Sequence, residues 1–207
     1  MGKFIVFEGI DGSGKTSQIN LVAEQLRERG EKVHVTAEPT DYETGRYLRR
    51  ILSGSESGSS DIYLQAALFL ADRIEHITHP EHGVKKYLDE GYTVLCDRYY
   101  YSSMAYQGKN SGCDFGWVES LNLNCPSLIK PDVCIFLDVN PSTCKERISL
   151  ARDNVEIYEK SIEQMSNIRR GFLEVFDIVK RNYDHNIIII NANGSMESVT
   201  KEILKYV

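Results

Sequence analysis

The ten residues Phe7-Glu8-Gly9-Ile10-Asp11-Gly12-Ser13-Gly14-Lys15-Thr16 constrain this chain more than any other stretch. They carry the spacing G-x-x-x-x-G-K-[ST]. Before them, Lys3–Phe7 is an apolar, β-favouring run with the length of a buried strand. After them, from Thr16 to Gly30, Ile19, Val22, Ala23 and Leu26 recur at helical intervals. A glycine-rich turn between a strand and a helix start can hold phosphate. Glycine lets the backbone approach the anion, and the N–H groups of the helix start point at it. In this reading Gly9, Ile10, Asp11, Gly12, Ser13 and Gly14 wrap phosphates. Lys15 reaches the β- and γ-phosphates, and the Thr16 hydroxyl joins a Mg²⁺ shell.

Strand-like runs recur with helical segments between them: Lys3–Phe7, Lys32–Thr36, Thr93–Cys96, Val133–Leu137 and Asn186–Ile190. Most lack polar alternation and are rich in Val, Ile and Phe, as strands covered on both faces are. The alternation predicts an α/β fold, a doubly wound parallel sheet of five strands flanked by helices. Helices are expected from Thr16, around Arg46–Arg50, from Asp61 to a break at Pro80 and on to Glu90, from Pro141, over Val155–Asn182, and after Gly194. The serine- and glycine-rich loop at 53–60 is too short to separate domains, so residues 1–207 read as one domain.

Ligands of such sheets bind at the carboxyl ends of the strands, so the residues that follow each strand carry the functional reading. Asp97 ends the third strand and stands where a carboxylate holds Mg²⁺ beside a phosphate loop; the alternative is pairing with Arg98 alone. Arg98 and Arg49 can clamp a second phosphate through their planar forks. Arg46, Arg49 and Arg50 share a broad helix face, which could equally be a solvated one. Tyr99, Tyr100, Tyr101 and Tyr106 lie among Ser102, Ser103 and Gln107. Such a cluster can stack on and read a nucleobase, or simply pack near a loop. Phe69 and Arg73, one helical turn apart, could hold a base by stacking plus a hydrogen bond. His76, His79 and His82 are broken by Pro80 and lack an evident fourth ligand, so they read as surface or packed histidines.

A net charge of −6 argues against non-specific nucleic-acid binding but leaves small anionic ligands open. Five cysteines without a C-x-x-C pair point to reduced thiols, with Cys96 and Cys134 as small buried hydrophobes. The chain shows neither a signal-peptide pattern nor a bilayer-spanning run, so a cytoplasmic location without membrane contact is expected.

Taken together these pieces resemble the thymidylate kinase family over nearly the whole chain. The resemblance rests on Phe7–Thr16, Glu38-Pro39, Phe69 with Arg73, and Lys130-Pro131-Asp132 through Leu137-Asp138-Val139. Its most specific part is Asp97-Arg98-Tyr99 running into Ser102-Ser103-Met104-Ala105-Tyr106-Gln107-Gly108. It implies a nucleoside monophosphate kinase of the P-loop type, with Gly9–Thr16 on ATP, that moves the γ-phosphoryl group to dTMP and yields dTDP and ADP. By the same resemblance Arg49 and Arg98 bind the acceptor phosphate, and Glu38 belongs to the acceptor site. Phe69 stacks on thymine, Arg73 hydrogen-bonds it, and Ser103 and Gln107 contact the base region. Tyr106 packs on the sugar against a 2′-OH, and Asp11 lies near the 3′-OH. Thr16 and Asp97 serve the Mg²⁺, and a homodimer is implied.

The chain departs from many members at Ala37, where Arg often precedes Glu-Pro, at Tyr101, where Asp is common, and at Glu156, where a second lid Arg is common. Members whose P-loop lacks Arg, as here at Gly12, draw a transition-state Arg from a short lid, expected at about 149–160, which makes Arg152 the candidate. Two other readings stay open: a kinase for another nucleoside monophosphate, and a P-loop binding module without phosphotransfer.

Overall fold

Phe4, Ile5, Val6 and Phe7 are all buried, which requires a strand covered on both faces. The structure is a computed structural model and describes residues 2–56, 61–151 and 161–207. Its parallel sheet contains β1 (Lys3–Glu8), β2 (Val33–Ala37), β3 (Thr93–Asp97), β4 (Val133–Asp138) and β5 (Ile187–Asn191), in the order β2-β3-β1-β4-β5. All five strands fall within a residue or two of the expected runs.

Register explains where a site forms. Phe7 on β1 pairs with Asp97, and Asp97 pairs with Ala37 on β2. The carboxyl ends of β1, β2 and β3 are therefore level, and the segments starting at Gly9, Glu38 and Arg98 leave the sheet side by side. The strand order runs outwards in both directions from β1, so its carboxyl end opens into a crevice between oppositely directed connections.

Helices cover both faces. α1 (Lys15–Glu28) buries Ile19, Val22, Ala23 and Leu26, the positions expected from their spacing. α2 (Glu43–Leu52) carries the three arginines, and α3 (Ile62–Thr78) carries Phe69 and Arg73. Asp61 caps α3 by accepting from the N–H groups of Tyr63 and Leu64, and α4 (Val84–Asp89) follows the break at Pro80. α7 (Pro141–Ala151), α8 (Ile162–Tyr183) and α9 (Met196–Ile203) complete the later half. On α8, Phe172 and Phe176 pack on Phe136 of β4 with ring centroids 5.2 and 5.0 Å apart.

Two helical segments exceed the expectation. After β3, α5 (Tyr100–Ser103) runs into a π-helical stretch, Met104–Asn110. Then α6 (Phe115–Leu123) starts at Asp114, whose carboxylate accepts from the Trp117 N–H. Among the described residues no helix is long and apolar enough to cross a membrane. Most of the expected lid, including Arg152 and Glu156, lies outside the described residues.

Candidate active site

The strand-end segments enclose a cleft of about 800 Å³. Along one side run Asp11–Gln18; opposite lie Ala37, Glu38, Pro39 and Arg49, with Asp97 and Arg98 between. The loop between β1 and α1 is set by its backbone. Gly12 has φ 75°, and a Cβ there would stand 2.5 Å from the Cys144 carbonyl oxygen of α7, so only glycine fits both the conformation and the packing.

Lys15 is almost fully buried, at 7% exposure, and its Nζ donates to the carbonyls of Gly9 at 3.0 Å and Ile10 at 3.2 Å. Its ammonium therefore lies in the hollow of the loop. Thr16 Oγ1 donates to Asp97 Oδ2 at 2.8 Å. These are two hard oxygen donors, the kind a Mg²⁺ ion takes alongside water and phosphate oxygens. Ser13 Oγ is buried without a hydrogen-bond partner, and it faces Gly9 across the loop. A buried orphan hydroxyl at a helix start suits an anion's oxygen.

Asp97 thus takes the Thr16 hydroxyl, while Arg98 turns to the phosphate loop. The Arg98 guanidinium pairs with Asp11, and its Nη1 reaches Gly9 O at 3.5 Å and Ser102 Oγ at 3.2 Å. It also lies 5.3 Å from the centre of the Tyr106 ring. The three arginines of α2 diverge. Arg49 faces the cleft and holds the Thr40 and Pro39 carbonyls and Asp41. Arg46 goes to the Asp41 carbonyl and Glu43, and Arg50 to Glu56, so those two belong to the solvated face.

On the far side of Arg98 sits a buried polar network. Arg73, at 1% exposure, donates through Nε to Glu38 at 2.8 Å, through Nη1 to Asn122 at 2.6 Å and through Nη2 to Ser103 at 3.2 Å. The other Glu38 oxygen meets His76 Nδ1 at 3.0 Å, and His76 Nε2 meets Thr36 Oγ1 at 2.7 Å. Asp72 anchors the Thr40 turn through the Thr40 N–H at 2.9 Å. Glu38 therefore orients Arg73 and also borders the cleft. Gln107 is buried, and Phe69 is half-buried on the face of α3 that carries Arg73. The cleft lining does not extend to Phe69, Arg73, Ser103, Tyr106 or Gln107.

The four clustered tyrosines separate. Tyr99, Tyr100 and Tyr101 pack into the core; Tyr106 alone of the four lies against Arg98. Tyr101 is hydrogen-bonded to His185 Nδ1 at 2.7 Å. The histidines separate as well: His76 is buried in the Glu38 network, whereas the rings of His79 and His82 stack 5.4 Å apart beyond it.

Two arginines escaped the sequence reading. Arg147 of α7 lines the cleft, with Nη1 3.5 Å from Ser13 O and Nη2 3.4 Å from Ala192 O. Arg169 of α8 grips Asp138 with two bonds of 2.5 and 2.7 Å. The signal for Arg147 was its place two turns into the helix that follows β4, a strand whose carboxyl end must face the phosphate loop. Ala192 and Gly194, from the segment singled out after the last strand, also line the cleft.

Comparison with known proteins agrees with this geometry. The sequence model of the family described as thymidylate kinase matches residues 7–203. A probable thymidylate kinase of Pyrococcus horikoshii is 38% identical over 209 aligned positions, covering 100% of this chain and 96% of the relative. The thymidylate kinase of Caldicellulosiruptor saccharolyticus is 35% identical with 100% and 96% covered. A probable thymidylate kinase of Methanococcus aeolicus is 37% identical with 99% and 95% covered. With the family match spanning nearly every element that builds the cleft, this chain belongs to the thymidylate kinase family.

Proposed function

We propose that this chain transfers the γ-phosphoryl group of ATP to dTMP, giving dTDP and ADP. The observation that carries the reading is the position of Arg98, which leaves β3 beside the loop that holds Lys15 and reaches back to Asp11. One cation thereby borders both the donor loop and the acceptor side, as transfer between two phosphates demands.

The chemistry asks little of the protein beyond placement. The second pKa of a monophosphate is about 6, so near neutrality the acceptor is already a dianion and needs no general base. One of its oxygens forms a bond to Pγ as the bond from Pγ to the bridging oxygen breaks, and that electron pair leaves with ADP. Charge spreads over the moving group and must be met by fixed donors. Lys15 with Gly9, Ile10, Asp11, Gly12, Ser13, Gly14 and Thr16 holds the triphosphate. Arg49 and Arg98 hold the acceptor phosphate. Phe69, Arg73, Ser103, Tyr106 and Gln107 read the nucleoside, with Glu38 fixing Arg73. Thr16 and Asp97 would hold Mg²⁺, which supplies charge neutralisation between the phosphates when bound. Arg147 adds a cation on the donor side. Arg152, outside the described residues, is the lid arginine in this proposal.

We take residues 1–207 as one domain, placed in the cytoplasm, with a second copy of the chain as partner. The five cysteines, none of them in a disulfide, support the compartment. Tyr63, at 45% exposure, stacks edge-on with Trp117 at 5.0 Å next to exposed Leu64, and this apolar face supports a dimer.

A panel of nucleoside monophosphates with Mg-ATP, read by ADP release, tests the reaction. dTMP should give the highest kcat/KM. Preference for another monophosphate would move the assignment to that substrate, and tight ATP binding without ADP release from any acceptor would reduce the protein to a binding module.

A further inference from the structure

To serve between two phosphates, Arg98 must stay at one point, yet its own backbone resists the conformation. Arg98 has φ 71°, the left-handed region that side chains other than glycine seldom occupy. Such a residue persists only when its surroundings over-determine it. Here they do. Its N–H donates to Phe7 O at 2.9 Å, and its carbonyl accepts from Cys96 Sγ at 3.0 Å. The next N–H along, that of Tyr99, donates to Glu8 Oε1 at 2.9 Å. The Ser102 N–H donates to the same oxygen at 3.1 Å, and the Ser102 hydroxyl donates to Glu8 Oε2 at 2.6 Å. That hydroxyl in turn accepts from Arg98 Nη1 at 3.2 Å.

We propose that Glu8 is a positioning residue for Arg98, clamping the turn through Tyr99 and Ser102 and aiming the guanidinium through the Ser102 hydroxyl. Glu8 is the last residue of β1, directly before the phosphate loop, and it is fully buried. One side chain on the donor strand thus fixes the cation of the acceptor side. Ionising a carboxyl so deeply buried is costly, and the donors of Tyr99 and Ser102 offset part of that cost. The inference rests on Arg98 binding the acceptor phosphate, as assigned above.

The role is one of shape, which makes it separable from charge. In Glu8→Gln the amide oxygen can take both backbone N–H groups, and the amide N–H can donate to the Ser102 hydroxyl, which still accepts from Arg98. In Glu8→Asp the carboxylate is drawn back by one methylene from the turn it holds. Ser102→Ala deletes only the bridging hydroxyl.

The test measures kcat and both Michaelis constants for these three variants, using whichever acceptor the monophosphate panel returns. Glu8→Gln should stay within about threefold of the wild type, whereas Glu8→Asp and Ser102→Ala should raise the acceptor KM about tenfold, the size of one lost charge-assisted hydrogen bond. Their KM for ATP should stay within about twofold. Equal losses for donor and acceptor would reduce Glu8 to a structural residue and overturn the proposal, as would an unchanged acceptor KM in Ser102→Ala. Ser102→Ala keeps the test sharp should Glu8→Asp fold poorly. A panel that returns an acceptor other than dTMP overturns the substrate assignment but not this one; a panel with no acceptor overturns both.

Discussion

Thr16 and Asp97 stand 81 positions apart in the chain, and the Thr16 hydroxyl donates to Asp97 Oδ2 at 2.8 Å. One comes from the first turn of α1 and the other from the last position of β3. Their meeting follows from register, because Phe7 opposite Asp97 is two residues from the start of the phosphate loop. If the two oxygens serve Mg²⁺, Asp97→Asn should lower kcat by about a hundredfold and raise the Mg²⁺ concentration for half-maximal rate about tenfold. Titrating MgCl₂ against ADP release checks this. An unchanged Mg²⁺ dependence would remove Asp97 from the metal's neighbourhood.

Much of this arrangement was legible in the sequence because it rests on short-range patterns. Glycine spacing marked the loop around Gly12, and unbroken Val, Ile and Phe runs marked the strands. Asp97 and Arg98 were readable as strand-end residues. The helix over Tyr100–Asn110 is not legible in the sequence. Its burial on many sides erases the amphipathic contrast on which a helical reading depends, and Tyr99, Tyr100 and Tyr101 all turn inward. The cap at Asp114 was present in the sequence and could have announced α6. Arg147 and Arg169 could not be assigned from spacing alone, since their partners Ser13, Ala192 and Asp138 lie on other elements.

Arg73→Ala should weaken dTMP far more than ATP. The structure adds a second consequence. Removing the guanidinium leaves Glu38 buried beside His76 without its cation, and breaking a buried ion pair from one side costs about 3–5 kcal/mol. A thermal or urea melt should therefore show a clear loss in Arg73→Ala. The Arg73→Ala/Glu38→Gln pair should recover part of that stability without restoring dTMP affinity. Equal weakening of ATP and dTMP in the single variant would refute the base-reading role.

Phe172 links the core to the acceptor side proposed above. Its ring lies 5.2 Å from Phe136 and 5.8 Å from Phe176, and it meets Tyr106 edge-on at 5.8 Å. Tyr106 in turn faces Arg98. Phe172→Ala should destabilise the fold by about 3–5 kcal/mol, the range for truncating a buried aromatic. It should also raise the dTMP KM, because Tyr106 loses the surface that supports its ring. Phe176→Ala, which opens the same core farther from Tyr106, should match the stability loss and spare the KM. Denaturant melts beside steady-state kinetics separate the two effects.

The pH dependence of stability should carry opposing contributions that single substitutions can pull apart. His185 is held down at about 4, first by burial and then by the charge of Lys130, and its ring is tied to Tyr101. His34 is likewise at about 4, through burial and then the charges of His76, Arg27 and His82. An unfolded histidine titrates near about 6.5. As pH falls below that value the unfolded chain takes up protons that the folded chain refuses until about 4, so stability drops across this window. Glu8 works the other way. Burial raises its carboxyl to about 7 against an ordinary 4.5, so the folded chain keeps a proton that the unfolded chain has lost, and stability falls as pH rises from 4.5 to about 7. Urea melts of His185→Gln at about pH 7.5 and about pH 5 should therefore show a smaller acid-side loss than the wild type. Glu8→Gln should show a larger acid-side loss, because the term that favours low pH is gone. A wild-type-like difference between the two pH values in both variants would mean that neither group titrates abnormally in the folded chain.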